Sequence, residues 1–189
     1  MKQFKVFGLI VAAVLIVNYT NAQTSVGIKG GLNFGHLSGF NGDARTSGHL
    51  GVFINHPISN KWSIQPELLY NGKGTHYFDA GEERTIALDY ISIPVMFQYN
   101  AARQLYFEFG PELGLLASAQ DKGPRGDNIN AKPDFRNNEI ALNLGIGFEA
   151  TNKLGFYGRY SFGLTDVSLF DNIVDHTQTA QLGVSYKLR

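Results

Sequence analysis

Alternation of large apolar residues with small or polar ones is the feature that most limits what this chain can form. Residues 139–149, EIALNLGIGFE, place isoleucine, leucine or phenylalanine at every even position and alanine, asparagine or glycine between them. Side chains of a β-strand alternate between two faces, so this segment predicts a strand with one bulky apolar face. Eight such segments occur, at 25–36, 47–55, 62–72, 86–99, 105–116, 138–150, 154–164 and 179–188.

The connections between these segments alternate in length. Three are short turns, and four are longer polar segments, at 37–46, 74–85, 118–137 and 167–177. The predicted strands exceed the usual length in soluble proteins and suit a tilted strand that crosses a bilayer. Long loops at one end and short turns at the other are typical of a transmembrane barrel. The pattern predicts one all-β domain over 23–189: an eight-stranded antiparallel outer-membrane β-barrel with short periplasmic turns and long extracellular loops.

The small face of each strand indicates which side meets lipid. It is rich in glycine, which is unfavourable on a strand face exposed to water but fits the narrow interior of an eight-stranded barrel. The bulky face carries aromatic residues near both ends of the strands, as expected for girdles at two lipid–water interfaces. The predicted girdle residues are Trp62, Tyr99, Phe148, Phe156 and Tyr186 at the short-turn end, and Phe34, Tyr70 and Phe162 at the other. A soluble exported barrel with an apolar lining remains the alternative.

The N-terminus predicts export. Lys2 and Lys5 precede an apolar run at 6–17, and small residues follow it before a predicted cut between Ala22 and Gln23. This order is typical of a secretory signal peptide, here 1–22. A membrane-spanning helix is the other possibility, but the run is too short to cross a bilayer. Together with the strand pattern, the signal predicts an outer-membrane location.

Charged residues on the small face predict a network inside the barrel. They are Lys29, Glu67, Glu108, Glu112, Glu139, Glu149, Arg159 and Lys187. Buried charges need partners, so internal salt bridges are the favoured interpretation. An ion path, or acid–base catalysis by Glu108 and Glu112, would need an open lumen or a cleft, and a barrel of this size is filled by its own side chains.

Other chemistry-bearing residues give weaker signals. The segment 36–49 holds Ser38, Asp43, Ser47 and two histidines, residue types that lipid-modifying enzymes use, and GPRGDN at 123–128 contains an RGD triplet. The five histidines lack metal-ligand spacing, and the chain has no cysteine. We therefore predict no metal, no cofactor and no enzymatic activity. A formal net charge of zero gives no reason to expect a nucleic-acid partner.

Four segments resemble a known family. GIKGGLNF (27–34), LDYISIPVMFQY (88–99), GPELGLLAS (110–118) and LGVSYKL (182–188) are similar to the PorT-type, porin-like outer-membrane β-barrels of Bacteroidetes. The resemblance covers nearly all of 23–189 and implies an outer-membrane barrel. The chain departs from the commonest barrel ending, because Arg189 stands in place of a terminal aromatic residue.

The expected role is non-enzymatic: a structural or surface-interaction barrel that contacts outer-membrane lipid and, through its four long loops, an envelope or surface protein. The main alternative is an accessory subunit of a secretion or envelope complex. A soluble periplasmic ligand-binding barrel and a lipid-modifying enzyme are less favoured.

Overall fold

The computed structural model describes residues 24–39, 42–79, 81–124, 126, 128–169 and 175–188. The predicted signal peptide, with Ala22 and Gln23, lies outside the described residues, as do Arg125 and Asp127 of the RGD triplet. The strands are β1 (Ser25–Leu37), β2 (Asp43–Pro57), β3 (Trp62–Asp79), β4 (Glu82–Asn100), β5 (Leu105–Lys122), β6 (Asn128–Asn130), β7 (Asn138–Glu149), β8 (Leu154–Gly163) and β9 (Thr177–Lys187). A short 3-10 helix spans Lys132–Asp134. Within the described residues, no helix is long and apolar enough to cross a membrane.

Eight of these strands form a closed antiparallel ring. Each pairs with its neighbours in chain order, and β1 pairs with β9 to complete the circle. The three-residue β6 pairs only with the outer end of β5 and stands outside the ring. Closure leaves no free edge, so the backbone hydrogen bonds of the wall are satisfied within the protein, as a membrane requires.

The two faces of the wall match the alternation in the sequence. In β7, Ile140, Leu144 and Phe148 point outward and are 45%, 49% and 45% exposed, while Asn143 is fully buried in the interior. The other ring strands also carry exposed aliphatic and aromatic side chains on the outer face. The outer surface is therefore an apolar band, and polar and small residues, together with a few bulky ones, fill the interior.

Three tight turns join the strands at the periplasmic end. Ile58 and Trp62, Ala101 and Leu105, and Thr151 and Leu154 close them with backbone hydrogen bonds of 2.9, 3.0 and 3.1 Å. The hydroxyl groups of Ser59 and Thr151 also accept backbone hydrogen bonds within their turns. Short polar turns with such side-chain acceptors fix the register of the strands that they join.

The outer ends of the strands extend further than the sequence pattern predicts. The prediction of a loop at 74–85 is wrong, because β3 continues to Asp79 and β4 begins at Glu82. Cross-strand pairing continues through Asp79 and Glu82, and Gly81 turns the chain with φ +84°. The alternation fades here because most residues of this hairpin are polar, with Tyr77 and Phe78 as its two aromatic residues. We call residues 76–85 the outer arm.

The other long connections are also shorter than predicted. Strand β2 begins at Asp43 rather than Ser47, β5 continues to Lys122, and β9 begins at Thr177. Only parts of 37–46, 118–137 and 167–177 are therefore loops. The segment 118–137 contains the end of β5, all of β6 and the 3-10 helix.

Candidate functional site

Four charged side chains meet in the half of the lumen nearer the periplasm. The Arg159 guanidinium donates from Nη1 and Nη2 to Glu67 Oε2 and Oε1 at 2.9 and 2.8 Å, and from Nε to Glu108 at 2.8 Å. Lys29 Nζ reaches Glu67 Oε1 at 2.9 Å and lies 3.9 Å from the ring centre of Tyr157. Two positive and two negative charges balance here. We call Lys29, Glu67, Glu108 and Arg159 the inner ion cluster.

Three charged side chains form a second group nearer the outer mouth. Lys73 Nζ lies 2.9 Å from Glu139 Oε2 and 3.3 Å from Glu112 Oε1. Glu112 also accepts hydrogen bonds from Ser92 Oγ at 2.8 Å and Asn143 Nδ2 at 2.9 Å. We call Lys73, Glu112 and Glu139 the outer ion cluster. It contains one more negative than positive charge.

A chain of neutral polar side chains links the two clusters. Tyr157, beside Lys29, is hydrogen-bonded to His49 Nε2, and His49 Nδ1 donates to Asn33 Oδ1 at 2.6 Å. Asn33 Nδ2 then donates to Asn71 Oδ1 at 2.7 Å, and Asn71 Nδ2 lies 3.5 Å from Glu112. These side chains therefore join the two ion clusters in one hydrogen-bonded network.

Glycines make room for the large side chains inside the barrel. Gly27 pairs with Phe53, Gly147 with Tyr106 and Gly183 with Tyr157, and in each pair the ring covers the glycine. A Cβ atom at any of the three would overlap that ring. The glycine face is thus the complement of a few bulky interior residues, and together they fill the narrow lumen.

The outer end of the lumen is closed by apolar side chains. Phe135 pairs with Ser168, and Arg136 N donates to Val167 O at 2.8 Å, so two outer segments join over the mouth. Phe135 and Val167 thereby enter a buried cluster with inward-facing residues of the wall. We call this cluster the outer cap: Leu37, Ile86, Leu88, Tyr90, Leu116, Ala119, Ala131, Phe135 and Val167.

Above the cap, the outer arm is fixed by polar contacts. Arg84 pairs with Asp121 at 3.0 Å, and Tyr77 Oη donates to the same carboxylate at 2.9 Å. Hydrogen bonding to Asp121 raises the pKa of Arg84, and burial raises the pKa of Tyr77. These contacts hold the outer arm against the outer end of β5.

Two carboxylates between β8 and β9 have opposite environments. Asp166 accepts hydrogen bonds from the backbone N–H groups of Ser168 and Asp175, and the bond from Asp175 is the main cause of its lowered pKa. Asp175 is fully buried, and its oxygens have no hydrogen-bond partner in good geometry. Burial, with the nearby Asp166 charge, raises the pKa of Asp175.

The structure brings most of the predicted lumen residues together. Six of the eight belong to the two ion clusters, and Glu149 pairs with Lys187 at the periplasmic mouth, where both are partly exposed. The predicted girdle residues all lie on strands of the ring. Trp62 packs against Tyr99 with ring centres 5.0 Å apart, and Phe148 pairs with Phe156 across β7 and β8.

The candidate enzymatic residues at 36–49 do not assemble into a site. His49 is buried in the lumen network, and Ser38 Oγ accepts a hydrogen bond from His176 N at 2.9 Å. Asp43 is exposed at the start of β2. In the described part of the chain, no group of three or more histidine, aspartate or glutamate side chains could hold a metal ion.

Sequence reasoning missed several members of the lumen network. Lys73 was placed in a loop because β3 was predicted to end at Gly72, and it proves to be the only cation of the outer ion cluster. His49, at the start of the predicted strand 47–55, was considered only as a possible enzymatic residue. The available signal was the alternation itself, because the inward-facing residues of β2 and β3 lie at odd-numbered positions, and His49 and Lys73 continue these two series. Phe135 and Val167 are apolar residues within polar segments, and this pattern could have predicted that they pack in the outer cap.

Comparison with known proteins places the chain in a family. Residues 21–169 match the family model described as outer membrane protein beta-barrel domain. No protein with a curated description matches the sequence. The fold is similar to that of Ail, the attachment invasion locus protein of Yersinia pestis, with 15% identity and a TM-score of 0.53 over 89% of this chain and 100% of Ail.

Two further solved structures show the same fold. Ail in complex with the heparin analogue sucrose octasulfate gives 14% identity and a TM-score of 0.51 over 87% of this chain and 99% of Ail. Neisserial surface protein A gives 11% identity and a TM-score of 0.52 over 87% of this chain and 97% of that protein. At these identities the likeness shows the fold alone. The family match and the closed eight-stranded ring identify this chain as an outer-membrane protein of the outer membrane protein beta-barrel domain family.

Proposed function

We propose that this barrel is non-enzymatic and non-conducting, and that it acts through its extracellular part in a structural or surface-interaction role. The observation that carries this proposal is the filled interior. Two ion clusters joined by hydrogen bonds occupy the lumen, and the outer cap covers its outer end. In the described part of the barrel, these side chains oppose a continuous water-filled path through the lumen.

A pocket on the described surface has a lining that suits binding better than catalysis. A pocket of about 260 Å³ lies beside β5 and β6, between Ala117 and Lys132. Its lining includes the hydroxyl of Ser118 but no histidine, aspartate or glutamate. Lys132 is the one basic residue of this lining, and its Nζ donates to Ala117 O at 3.1 Å rather than contacting Ser118, so this pocket supports binding rather than covalent chemistry.

The charge of the outer segments favours a particular class of partner. The predicted outer segments 37–46, 74–85, 118–137 and 167–177 together hold nine acidic and six basic residues, a formal charge of −3. Ail binds a polysulfated heparin analogue, but this balance opposes such a ligand. We propose a protein partner with a neutral or basic surface, which the outer arm contacts.

Two finer inferences rest on sequence alone. We infer that residues 1–22 are a signal peptide and that the chain is a PorT-type barrel of Bacteroidetes, on the resemblance of its four segments. An accessory role in a secretion or envelope complex would use the same outer surfaces.

The proposal is tested by conductance and by lipid analysis. The purified barrel is inserted into planar bilayers, and we expect no stepwise current across a range of voltages. Outer-membrane lipids from cells with and without the protein are compared by mass spectrometry, and we expect identical acylation patterns. A lipid change that Ser38→Ala or His49→Gln abolishes would establish an enzyme and overturn the proposal.

The surface role has its own comparison. Residues 77–83 are replaced by Asn-Gly, which shortens the outer arm and retains the ring below it. Cells that display the wild-type protein or the variant with the shortened arm are then scored for sedimentation and attachment. Glu149→Gln at the periplasmic mouth is the control, because it leaves the outer surface unchanged. We expect only the shortened arm to reduce contact, and binding of sucrose octasulfate to be absent in all three.

A further inference from the structure

The buried charges of the barrel interior do not balance. Among the described residues of the ring strands, three cations and four carboxylates are buried: Lys29, Lys73, Arg159, Glu67, Glu108, Glu112 and Glu139. The inner ion cluster is neutral, so the excess negative charge belongs to the outer ion cluster. Asp175, buried in the segment before β9, adds a further carboxylate and no cation. An uncompensated charge in a dry interior is strongly unfavourable.

The surroundings of His49 favour a neutral ring, which does not supply the missing positive charge. Asn33 Nδ2 donates to Asn71 Oδ1, Gly48 O and Gly72 O, so Asn33 Oδ1 is the atom that faces His49 Nδ1. Nδ1 therefore carries a proton, and Nε2 is free to accept the hydroxyl proton of Tyr157. Neutral His49 satisfies both contacts, and Lys29 beside Tyr157 opposes a further cation.

Next to the outer ion cluster, five buried side-chain oxygen atoms have no hydrogen-bond partner. Four belong to Asn143, Ser161, Thr179 and Gln181, all at most 1% exposed, and the fifth is Tyr90 Oη, whose ring centre lies 5.4 Å from Lys73 Nζ. Asn143 pairs with Ser161 across β7 and β8, and Ser161 pairs with Thr179 across β8 and β9. The first three therefore form a row across adjacent strands at one height in the lumen, and Gln181 is the next inward-facing residue of β9.

The contacts of the two amides show that their unpartnered atoms are oxygens. Asn143 Nδ2 donates to Glu112 Oε2, a carboxylate that can only accept, so its Oδ1 is the free atom. Gln181 Nε2 donates at 3.1 Å to Asn71 Oδ1, because Asn71 Nδ2 is turned toward Glu112. Glu139 lies at the outer side of this row. Its Oε1 accepts a hydrogen bond from the hydroxyl of Thr177, two residues before Thr179.

We propose that this row and the carboxylates of Glu112 and Glu139 bind one monovalent metal cation, sodium or potassium, inside the barrel. Amide and hydroxyl oxygens are ligands for hard cations, and water completes the shell of such ions in proteins. One positive charge neutralises the outer ion cluster, whereas a divalent ion would reverse its sign. The cation is structural: it enters when the barrel folds and is held beneath the outer cap.

The test compares folding in different salts at equal ionic strength. The barrel is refolded into detergent micelles in sodium chloride, potassium chloride or N-methyl-D-glucamine chloride, whose cation is too large for the site. We expect a higher urea midpoint of unfolding in at least one alkali salt, increasing with its concentration as for a single bound ion. Equal midpoints in all three salts would overturn the proposal.

Variants locate the effect. Glu139→Gln removes the excess charge and leaves Lys73 paired with Glu112, so the alkali-specific gain should disappear. Glu149→Gln breaks the similar pair with Lys187 at the periplasmic mouth and should retain the gain. If Glu139→Gln does not fold, Thr179→Val replaces one free oxygen with a methyl group of similar size and should weaken the apparent cation affinity about fivefold. A gain that persists in both variants contradicts the site.

A direct measurement on the wild-type protein gives the position of the ion. Crystals grown from barrel refolded in thallium or rubidium chloride should show an anomalous peak between Asn143, Ser161, Thr179 and Glu139. Ordered water alone at that position, with no anomalous signal, would show that Glu112 or Glu139 carries a proton instead, and the cation proposal would fail.

Discussion

Individual glycines explain how so narrow a barrel can hold large rings. Gly27, Gly147 and Gly183 each lie opposite a bulky interior side chain, so the small face of the sequence and the few interior aromatics are complementary. A glycine in a strand ordinarily weakens it, but here the cross-strand ring covers the exposed backbone.

Gly147→Ala should therefore be costly, whereas Gly158→Ala should not. The new methyl group at 147 would overlap the ring of Tyr106, and overpacking a filled interior costs about 1–3 kcal/mol. Gly158 faces outward, and its nearest neighbour, Leu182 Cδ2, would lie at 3.4 Å. Equilibrium unfolding in urea with refolding into micelles measures both variants. Equal stability of the two would show that Tyr106 does not fill the space above Gly147.

The inner ion cluster depends on Arg159. Replacing it by methionine leaves Glu67 with Lys29 alone and Glu108 without a cation, and such an unpaired buried charge costs about 3–5 kcal/mol. Lys187→Met breaks a pair at the partly exposed periplasmic mouth, where ion pairs contribute less than about 1 kcal/mol. The same unfolding experiment separates the two. A small effect at Arg159 would contradict the buried pairing.

Asp175 should destabilise the outer segment at neutral pH. Its raised pKa means that the folded state favours the protonated form, so the stability that protonation gives is present in acid and lost as pH rises through the folded pKa. Asp175→Asn should increase hydrogen-exchange protection of residues 164–169 at pH 7. The difference in protection between the variant and the wild type should shrink as the pH falls, because Asp175 of the wild type then becomes protonated and is neutral like asparagine. Protection unchanged at pH 7 would show that Asp175 is solvated.

At the scale of elements, alternation predicts all eight ring strands but not their outer ends. In the lipid-embedded part, one face must be apolar, and the pattern is clear. Beyond Tyr70 most residues of β3 are small or polar, and Phe78 is the one strongly exposed large apolar residue, so this part of the strand resembles a loop in sequence. Pairing with β4, rather than patterning, maintains it. Lys73 was missed for the same reason.

The outer cap should be separable from the ring below it. Phe135 is 3% exposed, and its truncation to alanine removes an anchor of the cap, with a cost of about 3–5 kcal/mol in a buried cluster. We expect faster proteolysis within 118–137 and an unchanged heat-dependent gel shift of the barrel. Ile129→Ala is the control, because Ile129 is 56% exposed in β6. Slow cleavage in both variants would mean that Phe135 does not hold the cap.

At the scale of the whole molecule, closure of the ring accounts for both the membrane location and the sealed interior. Closure removes every edge, turns the apolar faces to lipid and leaves a lumen that paired charges and rings can fill. The charged residues of the lumen were predictable as a set, because alternation along each strand assigns them to the inward face. The partners within it were not, because they depend on strand registers that no local pattern contains.

The central claim is that the bulky face meets lipid and the small face meets the lumen, and a cysteine scan tests it most directly. The chain has no cysteine, so single substitutions from Asn138 to Glu149 can each carry one spin label in lipid vesicles. We predict that oxygen accessibility alternates with a period of two residues and is highest at Ile140, Leu142, Leu144 and Ile146. Water-soluble relaxation agents reaching those same positions, or no alternation at all, would contradict the account.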